Sequence, residues 1–137
     1  METVIADTGP LVAFLRREDS DHAWAAERFR ELTTPLVTCD AVLSEALFLL
    51  NQSAGGARKL LDLVDRGLVV PSFDLAAEWK AVSQLLRRFE GVPRSLADAC
   101  LVRMAELHDD ARVFALDSDF KVYRRHRRQV IPLLYPG

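Results

Sequence analysis

The chain is poor in the residues that build disulfide-bonded or zinc-stabilised domains. Its 137 residues include two cysteines, and both Cys39 and Cys100 lie in apolar surroundings without the spacing of metal ligands. We therefore predict that they are small buried hydrophobic residues in a reducing compartment. The three histidines, His22, His108 and His126, are scattered in charged or helix-surface contexts and are predicted to be solvated. A zinc site is not expected.

Long apolar runs and a strong net charge are missing as well. No segment approaches the roughly 18 apolar residues of a membrane span, and no basic region precedes an apolar stretch at the N-terminus. We therefore expect a cytoplasmic protein that contacts no membrane. The net charge is −2, so any contact with nucleic acid requires a local basic patch rather than the field of the whole molecule.

The composition and length are those of one globular domain. Half of the residues are hydrophobic and 28% are charged, which argues against disorder or a fibrous class. A chain of 137 residues is long enough to bury roughly two thirds of the surface that its unfolded form exposes. We predict a single domain over residues 1–137.

Short apolar segments alternate with helical patterns along the chain. The predicted strands cover residues 3–6, 35–38, 68–70 and 112–116, with a final edge strand at 130–133. The predicted helices begin with one that Thr8 caps and that carries Pro10 in its first turn, and continue at about 20–32, 40–51, 57–66, 75–89 and 95–108. Strands that are apolar throughout are typical of a parallel sheet with helices on both faces. We predict an α/β fold, a three-layer α/β/α sandwich with a central, mostly parallel sheet of four to five strands.

Four acidic residues lie inside or directly behind apolar runs, namely Asp7, Glu45, Asp98 and Asp117. Buried carboxylates need a compensating partner, and the sequence offers few. Glu45 lies in a helical segment that is apolar on nearly every side, which predicts a buried helix. In sheets of this class ligands bind beyond the carboxyl ends of the strands. Asp7 and Asp117 follow strands and the other two acids lie early in helices, so we expect all four to converge on one crevice.

Gathered carboxylates indicate a divalent cation. Carboxylates a few ångströms apart repel one another, and a metal ion reverses that penalty. Ligands that are all oxygen suit Mg²⁺ or Mn²⁺. Such ions make an acidic pocket attractive to a phosphodiester and activate water, so the pattern is typical of a nuclease. The sequence contains no Gly-rich phosphate loop, Ser-His-Asp arrangement or HExxH motif that would compete for this role.

Four motifs together resemble a known family. They are IADTGPLVAFL around Asp7, DAVLSEALFLL around Glu45, SLADACLVRMAE around Asp98, and VFALDSDF around Asp117 and Asp119. Their order and spacing over nearly the whole chain resemble a PIN domain, and among PIN domains most resemble a VapC-type toxin ribonuclease of bacterial toxin-antitoxin pairs. The resemblance implies a Mg²⁺- or Mn²⁺-dependent endoribonuclease that leaves 5′-phosphate and 3′-hydroxyl ends.

The resemblance also assigns roles to the acids. It implies that Asp7, Glu45 and Asp98 form the main catalytic and metal-binding triad. Asp117 completes the metal site, and Asp119 is an alternate or helper ligand.

Two hydroxyl residues and two kinds of partner follow from the same resemblance. Thr8 and Ser118 stand where small hydroxyl residues orient a carboxylate or a water. The family often has Ser where this chain has Gly9, which leaves Thr8 as the hydroxyl support of Asp7.

The partners implied are a second copy in a homodimer and a small antitoxin whose basic side chain enters the acidic site.

Each acid also has a purely structural interpretation. Asp98 follows Ser95 by three positions, which fits a capping box, and Glu45 can pair with a distant Arg. Asp7 fits a turn after a strand, and Asp117 with Asp119 fits an Asx turn that caps a short helix from residue 120. The joint occurrence of the acids favours the metal site.

The densest basic cluster follows the last acids and comprises Lys121, Arg124, Arg125, Arg127 and Arg128. A solvated face is the simpler interpretation. The alternative is contact with the RNA backbone by Lys121, Arg124 and Arg125, together with Arg94. Two other functions also remain open: a PIN-like RNA-binding or regulatory module without catalysis, and a stand-alone PIN nuclease without an antitoxin.

Overall fold

Short strands and longer helices alternate along the chain in the computed structural model, which describes residues 2–88 and 95–137. The strands are β1 (Thr3–Ala6), β2 (Leu36–Thr38), β3 (Val69–Pro71), β4 (Ala111–Phe114), β5 (Arg124–Arg125), β6 (Gln129–Val130) and β7 (Leu133–Leu134). The helices are α1 (Thr8–Leu15), α2 (His22–Glu31), α3 (Asp40–Leu50), α4 (Gly56–Asp65), α5 (Leu75–Arg88), α6 (Leu96–Leu107) and α7 (Asp119–Val122).

Five strands form a parallel sheet in the order β3-β2-β1-β4-β7. The central strand β1 places Ile5 opposite Val37 of β2 and Val113 of β4. Val4, Ile5 and Ala6 are all buried, because helices cover both faces of the sheet. The predicted three-layer α/β/α sandwich with a parallel central sheet is confirmed.

Aromatic side chains attach the first two helices to the sheet. Phe14 of α1 stacks on Phe29 of α2 with ring centroids 3.9 Å apart. Trp24 and Phe29 each lie 5.6 Å from the ring of Phe114, which ends β4. Helix α5 packs against α6, which contacts β1 and β4. Among the described residues, no helix has the length and apolarity needed to cross a membrane.

The helix that carries Glu45 is only partly buried, which corrects one prediction. Helix α3 buries Val42, Ala46 and Leu50, a single stripe at intervals of four residues. Glu45 is exposed, and Phe48 on another side has 67% of its surface exposed. The prediction of a buried helix was wrong because an apolar sequence does not ensure that a neighbour covers every face.

Three smaller predictions also need correction. The cap of α1 is Asp7 rather than Thr8, which is the first helical residue. The final strand predicted at residues 130–133 is divided between β6, which pairs with β5, and β7, which pairs with β4. His22 is half-buried and its Nδ1 lies 2.8 Å from the carbonyl oxygen of Ala13, so the prediction that it is solvated was wrong. The two cysteines are buried as predicted.

The antiparallel ribbon of β5 and β6 was not predicted, and it is anchored on the end of α6. The Arg125 guanidinium donates to three carbonyl oxygens there, those of Ala105, His108 and Asp109, at 3.1, 3.4 and 3.3 Å. The backbone N–H of His126 donates to Glu106 Oε2 at 2.8 Å. Because the last carbonyls of a helix lack helical partners and carry partial negative charge, a cation there is stabilising.

We expect Arg125→Met to lower the free energy of unfolding by about 1–3 kcal/mol, since it removes charge-assisted bonds to these carbonyls. Urea unfolding measures the change. Arg128→Met is the matched control at an exposed position of the same ribbon, with an expected change within about 0.5 kcal/mol. Equal effects of the two substitutions would contradict the anchoring role of Arg125.

Candidate metal centre

Asp7 lies directly beyond the carboxyl end of the central strand. Its backbone N–H donates to the carbonyl oxygen of Phe114 at 2.9 Å, which continues the pairing of β1 with β4. Its Oδ1 accepts from the backbone N–H of Thr8 at 2.8 Å and caps α1. The residue is only 8% exposed. Sheet and helix together therefore fix the position of this carboxylate.

The crevice beside Asp7 is the point where the strand order reverses. From β1 the chain goes to β2 on one side, whereas β4 lies on the other side. Ligands of open parallel sheets bind at such reversal points. Asp117 follows β4 by three residues and Asp98 lies in the first turn of α6, which contacts both strands.

Asp98, in the first turn of α6, is supported from two sides. Ser95 is the N-cap, and its Oγ accepts from the backbone N–H of Asp98 at 3.1 Å, as the capping-box interpretation predicts. The Asp98 carboxylate has a separate contact, since its Oδ2 accepts from the Tyr123 hydroxyl at 2.7 Å. The cap thus explains the position of Asp98 in the helix but not the orientation of its side chain.

The segment after β4 holds two further acids. The backbone N–H of Asp119 donates to Asp117 Oδ1 at 2.9 Å, so the predicted Asx turn is present. Helix α7 begins at Asp119, one residue earlier than predicted. Ser118 is its N-cap residue, although its side chain makes no capping hydrogen bond. Asp117 is exposed and Asp119 is half-buried, so both are more accessible to solvent than Asp7.

Burial dominates the electrostatics of Asp7. It raises the pKa of Asp7 from 3.8 to about 7, against the lowering effect of the Thr8 backbone hydrogen bond. Negative charges on other acids raise this pKa further, in the order Asp98, Asp117 and Glu45. The acids named from the sequence are therefore close enough to repel Asp7.

The pKa of Asp98 is raised for similar reasons. Burial raises its pKa, the hydrogen bond from Tyr123 opposes that rise, and the charges of Asp117, Asp119 and Glu45 add to it. The energetic problem inferred from the sequence thus applies to Asp7 and Asp98. Glu45 and Asp117 are exposed to solvent and affect the crevice through their charge.

The donor set suits a hydrated hard cation. Within residues 2–88 and 95–137, no three His, Cys, Asp or Glu side chains form a group that could hold a metal ion between them. Mg²⁺ usually keeps several waters and is bound through one or two carboxylates plus substrate phosphates, so a tight cage of three is not required. Thr8 Oγ1 is buried without a hydrogen-bond partner among the described residues, next to Asp7. The crevice therefore provides oxygen donors, negative charge and one unsatisfied hydroxyl.

The family model described as PIN domain matches residues 4–125. The chain belongs to the PIN domain family. Among solved structures, VapC20 from Mycobacterium tuberculosis, described as a sarcin-ricin loop cleaving toxin, superposes with a TM-score of 0.73 at 22% sequence identity. The similarity covers 85% of this chain and 92% of that one, and at this identity it shows the shared fold. A search of curated proteins found no significant match.

Two hydroxyl residues that support the acidic end of the sheet in this PIN domain were not predicted from the sequence. Tyr123 bonds to Asp98 across 25 residues of sequence, and no local pattern predicts such a pair. The weak signal is a single tyrosine that follows the last acids within the basic cluster. Thr38 is fully buried, and its hydroxyl donates to the carbonyl oxygen of Ala6 at 2.8 Å, just before Asp7.

Gly9 of this PIN domain packs closely against Leu116. A Cβ at Gly9 would lie 3.3 Å from the Cβ and Cδ1 atoms of Leu116. A side chain at position 9 would therefore require Leu116 to shift by a few tenths of an ångström. The close contact brings the start of α1, which Asp7 caps, against the segment that leads to Asp117.

The basic residues of this PIN domain are divided between structural contacts and open surface. Arg124 Nη1 donates to three carbonyl oxygens, those of Lys121, Val122 and Tyr123, and Arg125 caps α6. Lys121 Nζ lies 4.3 Å from the ring centroid of Tyr135, although the residue is exposed. Arg94 lies outside the described residues. RNA contact by these side chains stays a prediction, and structural contacts already account for both arginines, Arg124 and Arg125.

We expect Asp7→Asn to stabilise the metal-free protein at high pH. The wild-type carboxyl ionises near pH 3.8 when unfolded but near pH 7 when folded, so its contribution makes the folded state less stable as pH rises between these values. Asn keeps a capping oxygen without a charge. In EDTA at about pH 8 the variant should gain about 1–4 kcal/mol in free energy of unfolding, measured in urea, and at about pH 4 the gain should vanish.

Asp110→Asn is the matched control, at an exposed position away from the crevice, and should show no gain that depends on pH. A loss of stability in Asp7→Asn at both pH values would contradict the electrostatic account.

Proposed function

We propose that this PIN domain is a Mg²⁺- or Mn²⁺-dependent endoribonuclease and the toxin of a toxin-antitoxin pair. The observation that carries the proposal is the burial of Asp7 among other acids, which raises its pKa to about 7 at the reversal point of the sheet. A divalent cation relieves this repulsion and also attracts the anionic backbone of RNA. The fold similarity to VapC20, a sarcin-ricin loop cleaving toxin, supports the same function.

We assign the cation to Asp7 and Asp98, with Asp117 and Glu45 completing the acidic site. When bound, the cation supplies Lewis-acid activation of water and neutralises charge at the phosphodiester. Asp7 is held in place by the bond from its backbone N–H to β4 and by the bond of its side chain to the start of α1, so it forms the fixed side of the site. Glu45 is exposed on α3 and brings negative charge from another element.

The remaining polar residues support these acids in the proposed site. Thr8 Oγ1 is available to orient a water or a carboxylate beside Asp7. Asp119 serves as an alternate ligand, because the Asx turn holds its backbone against the Asp117 carboxylate. Ser118 lies between them at the start of α7. By this proposal RNA hydrolysis leaves 5′-phosphate and 3′-hydroxyl ends.

The proposed partners are RNA, a second copy of the chain and a small antitoxin. An antitoxin with a basic side chain would neutralise the same acids that bind the cation. Co-purification from the native host tests this partner. A small co-eluting protein supports the toxin-antitoxin assignment, whereas an isolated chain favours a stand-alone PIN nuclease.

A PIN module that binds RNA without catalysis is the second candidate. It is favoured by the absence, among the described residues, of a preformed group of three metal-binding side chains. The two candidates differ in their response to metal, because a module without a functional site should not bind Mn²⁺.

Purified protein with Mn²⁺ should cleave RNA, and Asp98→Asn should lower the cleavage rate by about 100-fold or more, since it removes a charged ligand. EDTA should abolish cleavage by the wild type. Gel analysis of a labelled RNA measures the rates, and Asp110→Asn is the exposed control that should keep full activity. Equal rates for Asp98→Asn and wild type would exclude this mechanism.

Neutralising exposed basic residues in and after α7 should weaken RNA binding. In an inactive Asp98→Asn background, Lys121→Gln with Arg127→Gln should reduce the slope of log affinity against log salt by about 1.4, because two phosphate contacts to single-stranded RNA are lost. Fluorescence anisotropy at several salt concentrations gives the slope. Lys80→Gln on the exposed side of α5 is the control. An unchanged slope would show that this surface does not contact RNA.

A further inference from the structure

Tyr123 is a buried hydroxyl residue that contacts one of the acids, Asp98. The side chain is 3% exposed, and its hydroxyl donates to Asp98 Oδ2 at 2.7 Å. The tyrosine ring packs edge-on against Phe120, with centroids 5.0 Å apart and an interplanar angle of 82°. The ring is therefore fixed by packing, and the direction of its hydroxyl is fixed with it.

The backbone around Tyr123 links it to the other acids. Its N–H donates to the carbonyl oxygen of Asp119 at 3.3 Å and ends helix α7. The backbone N–H of Asp119 in turn donates to Asp117 Oδ1 in the Asx turn. One short segment thus carries two acids of the crevice and the hydroxyl that reaches a third.

A hydrogen bond from a buried hydroxyl to a carboxylate has two consequences. It fixes the rotation of the carboxylate, and it occupies one lone-pair direction of Oδ2. Asp98 Oδ1 then faces a defined direction. Hydrogen-bonded neighbours of metal ligands act in this way, and their loss typically weakens metal binding about 10- to 100-fold.

We propose that Tyr123 is a positioning residue that holds Asp98 in the orientation needed to bind the divalent cation. The proposal rests on the function proposed above for Asp7 and Asp98. Tyr123 acts through Asp98 and is itself neither a ligand nor a catalytic residue.

The test compares Mn²⁺ affinity in the full chain without RNA, measured by isothermal titration calorimetry. Tyr123→Phe keeps the ring contact with Phe120 and removes only the hydroxyl. We expect its dissociation constant for Mn²⁺ to rise about 10-fold. Tyr135→Phe is the matched control, because the same atom is removed from a half-buried tyrosine whose ring lies 4.3 Å from Lys121 Nζ, and its affinity should equal that of the wild type.

A double-mutant cycle separates positioning from a general structural role. If Tyr123 acts through Asp98, then Tyr123→Phe in an Asp98→Asn background should not weaken Mn²⁺ binding further. An equal loss of affinity in both backgrounds would overturn the proposal. Urea unfolding without metal, run on each variant, should show that all of them are folded.

The remaining outcomes distinguish the two proposals. Wild-type protein that binds Mn²⁺ together with Tyr123→Phe that binds it equally well would overturn the role of Tyr123 and leave the nuclease function standing. Wild-type protein that binds no Mn²⁺ would overturn the proposed function and the positioning role with it.

Discussion

Burial of the Asp7 carboxylate at the end of the central strand is the constraint on which the acidic crevice depends. The residue continues the pairing of β1 with β4 through its backbone and caps α1 through its side chain, so it has little freedom to move toward solvent. The same position removes water from the carboxylate, which raises its pKa. The same side chain thus caps a helix and carries a buried negative charge that is unfavourable. Any cation that binds there makes that charge less unfavourable.

The rest of the crevice is assembled from separate parts of the fold. The first turn of α6 supplies Asp98, and the turn after β4 supplies Asp117 and Asp119. Close packing of Gly9 on Leu116 and the hydrogen bond from Tyr123 to Asp98 join these parts. Because each contact lies between segments far apart in sequence, the geometry of the acids depends on the whole sheet.

Much of this architecture could be predicted from local patterns. The apolar strands and capped helices predicted the sandwich, and the strand-end positions of Asp7 and Asp117 predicted that they lie at one edge of the sheet. The exposure of Glu45 could not be predicted, because it depends on which helices pack against α3. The contact of Tyr123 with Asp98 and the ribbon anchored by Arg125 depend on tertiary distances that no periodicity encodes.

The central claim is that the acids around Asp7 bind a divalent cation, and anomalous diffraction from crystals grown with Mn²⁺ tests it most directly. The account predicts an anomalous peak within about 2.0–2.4 Å of a carboxylate oxygen of Asp7, with Asp98 beside it. A fully occupied Mn²⁺ peak elsewhere on the molecule, with none in the crevice, would contradict it.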